Sequence, residues 1–206
     1  MNSYRYIEKR INIIVELIKG LDSFRAGAPR KSISKLEEMY TSLKLRNPPY
    51  KWKELAQDLK SILDIPKSHP GYKKLVNIHQ VASFLSYASI GTLILSLYFA
   101  FREEIISFLY AFAATFIVTN ISFILRIYEA HILSQIFKEK SDILEEKGRK
   151  IKEMINYLLV LLRRELRKIR RHQRGIELNL YQVDYDNIQV VKKPSFLRNT
   201  YLVKVQ

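Results

Sequence analysis

Residues Val81–Leu125 read VASFLSYASIGTLILSLYFAF-REE-IISFLYAFAATFIVTNISFIL, two uncharged runs of 21 residues parted only by Arg102, Glu103 and Glu104. At about 1.5 Å of rise per residue, either run coiled as a helix matches a bilayer core roughly 30 Å thick. A buried helix of a soluble domain keeps a polar stripe toward water, and neither run has one. The stretch also begins too far into the chain, and is too long, for the apolar core of a signal peptide. The pattern therefore predicts two membrane passes joined by a very short connector, with spans at about 80–101 and 105–126.

Lys and Arg in the short flanks set the orientation of such a hairpin. Lys60, Lys67, Lys73 and Lys74 precede the first run, and Arg126, Lys138 and Lys140 follow the second. The connector has Arg102 alone beside two Glu. Both termini are expected in the cytoplasm of a multi-pass plasma-membrane protein. Residues 1–80 carry 16 Lys/Arg against 8 Asp/Glu and residues 126–206 carry 18 against 10, so nearly all of the +15 net charge falls on one side. With no Cys in the chain there are no disulfide staples and no thiolate metal sites.

Small residues recur every fourth position on both runs. Ala88, Thr92, Ser96 and Ala100 form one ridge, and Ser107, Ala111, Thr115 and Thr119 the other. Such ridges let helix backbones approach closely in lipid, either within the hairpin or between protomers. No Asp, Glu, Lys, Arg or His lies inside either run, which leaves no proton relay or intramembrane catalytic group. Asn120 is the one strongly polar side chain there. It needs a carbonyl or hydroxyl partner, or would form a ring around an oligomeric pore.

Outward from the hairpin, residues 1–71 read as a cytoplasmic bundle of three short helices. Tyr4, Ile7, Ile11, Ile14 and Ile18 step by three and four, with Gly20 as a stop and Leu21–Lys31 as a loop. Ser34-Lys35-Leu36-Glu37 has capping-box form, opening a helix with Ile33, Leu36, Met39, Tyr40 and Leu43 inward. After Asn47-Pro48-Pro49-Tyr50 comes a helix with Trp52, Leu55, Leu59 and Ile62 on one side. A bundle of about 65 residues has a marginal core, so docking on the C-terminal region or on a neighbouring protomer is expected.

Residues 128–174 read as amphipathic, coiled-coil-like helices, with Lys147-Gly148-Arg149 as their one breaking signal. Ile151, Met154, Ile155, Leu158, Leu159, Leu162, Leu166 and Ile169 make a broad apolar face that needs a partner. Arg163, Arg164, Arg167, Lys168, Arg170, Arg171 and Arg174 then cluster with Glu165 as their only acid. A helix straight from Arg126 would hold Arg163 ~55 Å from the membrane, far beyond a Debye length of about 8 Å, and favour an acidic protein or RNA partner. A reversal near Gly148 would return the cluster to anionic headgroups, at about 1 kcal/mol per cation. From 175 to 206 the texture is strand: Ile176, Leu178 and Leu180 alternate with polar residues, and Ile188–Val191 and Tyr201–Val205 follow.

No phosphate-cradling Gly loop, metal-ligand spacing or nucleophile elbow occurs, and the four His are scattered, although His79 and His131 fall near the same ends of the two runs. The expected fold class is an all-α membrane protein: a two-helix transmembrane hairpin over 72–127, helical cytoplasmic regions and a small β element at the C-terminus. The expected function is a non-enzymatic anchor or scaffold, without cofactor or metal. Its basic regions would dock a protein partner, a second copy, nucleic acid or the bilayer surface. The alternative is a small oligomeric channel.

Overall fold

The computed structural model describes residues 2–169, 176–195 and 198–205. Among them are six α-helices and three strands: α1 Asn2–Arg25, α2 Ile33–Ser42, α3 Trp52–Asp64, α4 Tyr72–Phe101, α5 Ile105–Glu139, α6 Ser141–Lys168, β1 Glu177–Leu180, β2 Ile188–Lys192 and β3 Tyr201–Val205, with a 3-10 turn at Ile65–Ser68. The chain forms two compact units. One comprises residues 1–65 together with 140–206; the other is the insert 66–139.

In the discontinuous unit the apolar face of α6 is its spine. All eight residues from Ile151 to Ile169 that the periodicity marked as apolar are buried. They meet Ile14, Leu17, Ile18, Leu21 and Phe24 of α1, and Leu55, Leu59 and Ile62 of α3. The partner that the face needed is thus the N-terminal helical region of the same chain. The three strands pair antiparallel in the order β1-β3-β2, with Leu178 opposite Val203 and Leu180 opposite Tyr201. Leu178, Leu180, Val203 and Val205 turn inward, and β1 packs against α1. Outer strand β2 carries a bulge between Val190 and Lys192.

Two glycines expected to end helices do not. The helix α1 runs through Gly20 to Arg25, because Leu21 and Phe24 continue the buried face. Its stop is Gly27, at φ 66°, where Gly27 N–H donates to Phe24 O (2.9 Å) and Ala28 N–H to Ser23 O (2.8 Å), a Schellman closure. Likewise α6 runs unbroken through Gly148, so there is no reversal at that position, and the interruption after α5 falls at Lys140 instead. Glycine costs a helix only about 1 kcal/mol, too little to break one held by eight buried side chains. The helix α2 opens two residues earlier than its capping-box form implied, with Ser32 in place of Ser34 as the cap, accepting from Lys35 N–H.

The two glycines nevertheless differ. At Gly20 the Leu36 side chain occupies the place a Cβ would take. At Gly148 a Cβ would meet only the Arg25 side chain, at 3.4 Å from Cγ and 3.5 Å from Nε, ordinary van der Waals contact. Gly20→Ala should therefore destabilise the unit by about 1–3 kcal/mol through overpacking, and Gly148→Ala should stabilise it by about 0.5–1 kcal/mol. Trp52, the only Trp, lies in α3 and reports this unit alone, so urea midpoints from its fluorescence check both.

The insert is a helical hairpin of α4 and α5. Its tip is a second Schellman closure, with Glu104 N–H donating to Phe99 O and Glu103 N–H to Ala100 O, and with Glu103 at φ 58° where glycine is usual. Both helices are long and apolar enough to cross a membrane, and 6 % of the residues in the apolar window of each are buried. A core helix of a soluble domain would be mostly buried, whereas here Phe84 is 71 % exposed and Tyr110 76 %.

Candidate functional site

Two places in the chain concentrate side-chain chemistry, one in each unit. In the hairpin, the half-buried and buried positions of α4 include Ala82, Leu85, Ser89, Thr92, Ser96 and Phe99, and those of α5 include Phe108, Ala111, Thr115, Val118, Ser122 and Leu125. Both sets step alternately by three and four, the spacing of a coiled-coil seam. Every-fourth-residue ridges do not follow that seam. Four residues turn a helix by about 400°, so three such steps drift roughly 120° around its surface. Accordingly Thr92 and Ser96 lie in the seam and Ala88 at its margin, while Ala100 is exposed; Ser107, Ala111 and Thr115 are half-buried, while Thr119 is exposed.

The seam is polar in its middle. Thr115 Oγ1 donates to Thr92 Oγ1 (2.9 Å), Thr119 Oγ1 to Ser89 Oγ (3.2 Å) and Ser122 Oγ to the Ala82 carbonyl (2.9 Å), and the Ser86 and Ser122 hydroxyls are within hydrogen-bond distance at 2.8 Å. The midpoints of these pairs fall between residues 102 and 104, at the hairpin tip, so the tight tip sets the register of the whole seam. Ser86, Ser89 and Ser122 were missed by sequence reasoning because they are off the four-residue ridges; the alternate three-four spacing would have found Ser89 and Ser122, and Ser86 flanks that seam. Asn120 points away from the seam, and its amide donates to the Phe116 carbonyl of its own helix (2.8 Å). Toward the open end, His79 Nδ1 meets Glu129 Oε1 (2.9 Å), His69 Nε2 meets Glu139 Oε2 (2.9 Å) and Lys74 Nζ donates to Tyr128 OH (3.0 Å). His131 pairs with Gln135 and not with His79. Among the described residues no group of His, Asp and Glu could hold a metal.

The discontinuous unit holds 29 Lys/Arg and 16 Asp/Glu, +13 of the +15 net charge. The basic run does not act as one helix end. Arg163 is half-buried, while Arg164, Arg167 and Lys168 are exposed; Arg170, Arg171 and Arg174 lie outside the described residues. Glu165 turns inward and is 4 % exposed. It is neutralised by Lys168 Nζ (2.8 Å) and Arg10 Nε (3.3 Å). Arg164 and Lys168, with Arg10 of α1 and Lys44 and Arg46 after α2, line a cavity of about 580 Å3. Sequence reasoning missed the last three because the folding of α1 and the 43–51 loop against α6 brings them there.

A second polar knot joins α1 to the segment after β1. Asp22 is fully buried, and its carboxylate accepts from Tyr181 N–H, Gln182 N–H (3.2 Å) and Tyr185 OH (2.7 Å). Burial pushes the Asp22 carboxyl above its usual range against these donors. Beside it Arg25 makes a two-pronged bond to Asp184 (2.8 and 2.9 Å), which Lys152 joins at 2.8 Å. The hydrogen bond from Arg25 leads in holding the Asp184 carboxyl well below its usual range, against partial burial. A lowered folded value means that this contribution is complete above the unfolded value of about 3.9 and is lost as pH falls below it. Asp184 is partly exposed, so after solvent screening the contribution is about 1 kcal/mol. Asp184→Asn should thus cost stability at neutral pH and progressively less as pH falls below about 3.9, read by Trp52 fluorescence across an acid series.

Compared with family models, with curated proteins and with solved structures, the chain matches none.

Proposed function

We propose that this protein is a two-pass membrane anchor subunit. Its hairpin crosses the bilayer, and its basic helical unit works in the cytoplasm, where it docks an anionic partner. The observation that carries the reading is the contrast within the hairpin. The hydroxyls of Ser86, Ser89, Thr92, Thr115 and Ser122 are turned into the seam and satisfied there, while Phe84, Tyr87, Phe101, Ile105, Tyr110 and Phe116 are exposed on the outside. A lipid environment makes that arrangement favourable over its whole length. A unit at +13 in the same chain supports an anionic partner. A channel would want polar outer faces that oligomerise around water, and no observation favours it.

The Cys-free chain is suited to a direct test. Lys35→Cys, Ser195→Cys and Glu103→Cys are made singly and expressed in bacterial cells. The chain should resist alkaline carbonate extraction. A membrane-impermeant maleimide should label Glu103→Cys in intact cells, and the other two only after permeabilisation. Release by carbonate sinks the anchor; the reverse labelling pattern sinks the orientation.

A further inference from the structure

We infer that the cavity between α1, the 43–51 loop and α6 is a binding site for a nucleoside di- or triphosphate. The inference rests on the anionic-partner reading above and gives that partner a chemistry. At about 580 Å3 the cavity is of the size that small organic ligands occupy. Its rim supplies five cations, Arg10, Lys44, Arg46, Arg164 and Lys168, against the single carboxylate of Glu165. Glu165 is taken up by Arg10 and Lys168 and holds those two side chains in place. Lys44, Arg46 and Arg164 have no carboxylate partner among the described residues. Unneutralised cations gathered in a concave site repel one another and contribute nothing to folding. The gain comes when a ligand of opposite charge arrives, and guanidinium forks suit phosphate oxygens.

The rest of the lining argues for an organic body on those phosphates. Ile7 and Leu161 give an apolar patch, Tyr6 and Tyr157 give two rings, and Asn47 offers an amide. Ring faces accept a base by stacking, and an amide can pair with its edge. The loop is held ready. Tyr157 OH donates to the Arg46 carbonyl (2.6 Å), Tyr40 OH to the Tyr50 carbonyl (2.8 Å), and Tyr50 OH to Glu153. Lys44 sits at φ 44° and Asn47 at φ 47° in that loop. Lys44 stands just past the end of α2, where glycine would be free of strain. A charged side chain kept in a left-handed conformation beside a cavity is the kind of local strain that function retains.

The test is calorimetric titration of the full-length protein, in nanodiscs of zwitterionic lipid, with ATP at physiological salt. Saturable one-site binding is expected. Arg46→Glu and Arg164→Glu should each weaken it about tenfold or more, the effect of losing one charge-assisted bond. Arg167→Glu, on the same helix but off the cavity, should leave it unchanged. Lys44→Gly should lower affinity while raising the urea midpoint, a combination no misfolded variant gives. Tripolyphosphate, lacking base and sugar, should bind more weakly than ATP; equal affinity overturns the nucleotide assignment. Absence of ATP binding overturns the site. If RNA or anionic vesicles then bind through Arg163, Arg164 and Arg167, the anchor reading stands without it.

Discussion

Asp22→Ala is expected to lower the stability of the discontinuous unit by about 3 kcal/mol, among the larger losses a single substitution brings. The carboxylate is fully buried and is the acceptor for two backbone N–H groups, of Tyr181 and Gln182, and for the Tyr185 hydroxyl. Removing it strands three donors in a place water does not reach, at about 1–3 kcal/mol each if none finds a new partner. Partial relaxation keeps the sum below that ceiling. Asp22→Asn should be milder, since its carbonyl still accepts, but its amide would face a donor. Tyr185→Phe removes one hydrogen bond and should cost about 1 kcal/mol. Urea denaturation followed through Trp52 separates the three, and an unchanged midpoint in Asp22→Ala would sink the account of the knot.

Ser122→Leu should open the hairpin. The residue is 4 % exposed in the seam, its hydroxyl bonded to the Ala82 carbonyl and the Ser86 hydroxyl. Two interhelical bonds at about 0.6 kcal/mol each are lost in lipid. Forcing a larger side chain between closely packed backbones adds about 1–3 kcal/mol. The readout is oxidative cross-linking of the pair Thr92→Cys and Thr115→Cys, whose native hydroxyls are 2.9 Å apart. Cross-linking should be fast in the parent and strongly slowed by Ser122→Leu. Asn120→Leu, two positions away but facing outward, should leave the rate unchanged. If both variants cross-link like the parent, the seam is elsewhere.

Much of this architecture was legible in the chain. The charge-free runs around Arg102–Glu104, the apolar faces of α1, α3 and α6, and the strands after residue 175 all follow from local periodicity. What periodicity could not carry was relative strength. Gly20 and Gly148 look alike as breakers, yet each sits in a helix whose buried side chains outweigh a cost of about 1 kcal/mol. Ala100 looks like a seam residue until the drift of a four-residue repeat is followed around the helix, and Thr119, exposed by the same drift, reaches the seam only through its hydroxyl. Asp22 looked like one more acid in a loop, because its partners are some 160 residues away. The cavity was half visible, through Arg164 and Lys168, and half hidden in Arg10, Lys44 and Arg46, which only tertiary packing brings to it.

The division of the chain has a consequence for how the protein is made. The discontinuous unit takes its first half from residues 1–65 and its second from beyond residue 140, so α1 leaves the ribosome well before α6 exists. At roughly 5–20 residues per second, the apolar stripe of Ile14, Leu17, Ile18 and Leu21 waits several seconds or more uncovered. During that interval the two apolar helices emerge as well, and on the anchor reading proposed above they must be handed to the insertion machinery. On that reading membrane delivery precedes completion of the basic unit, and a chain that misses the membrane has an exposed stripe as well as an exposed hairpin. Such a chain is marked for chaperone capture and degradation before the unit can close.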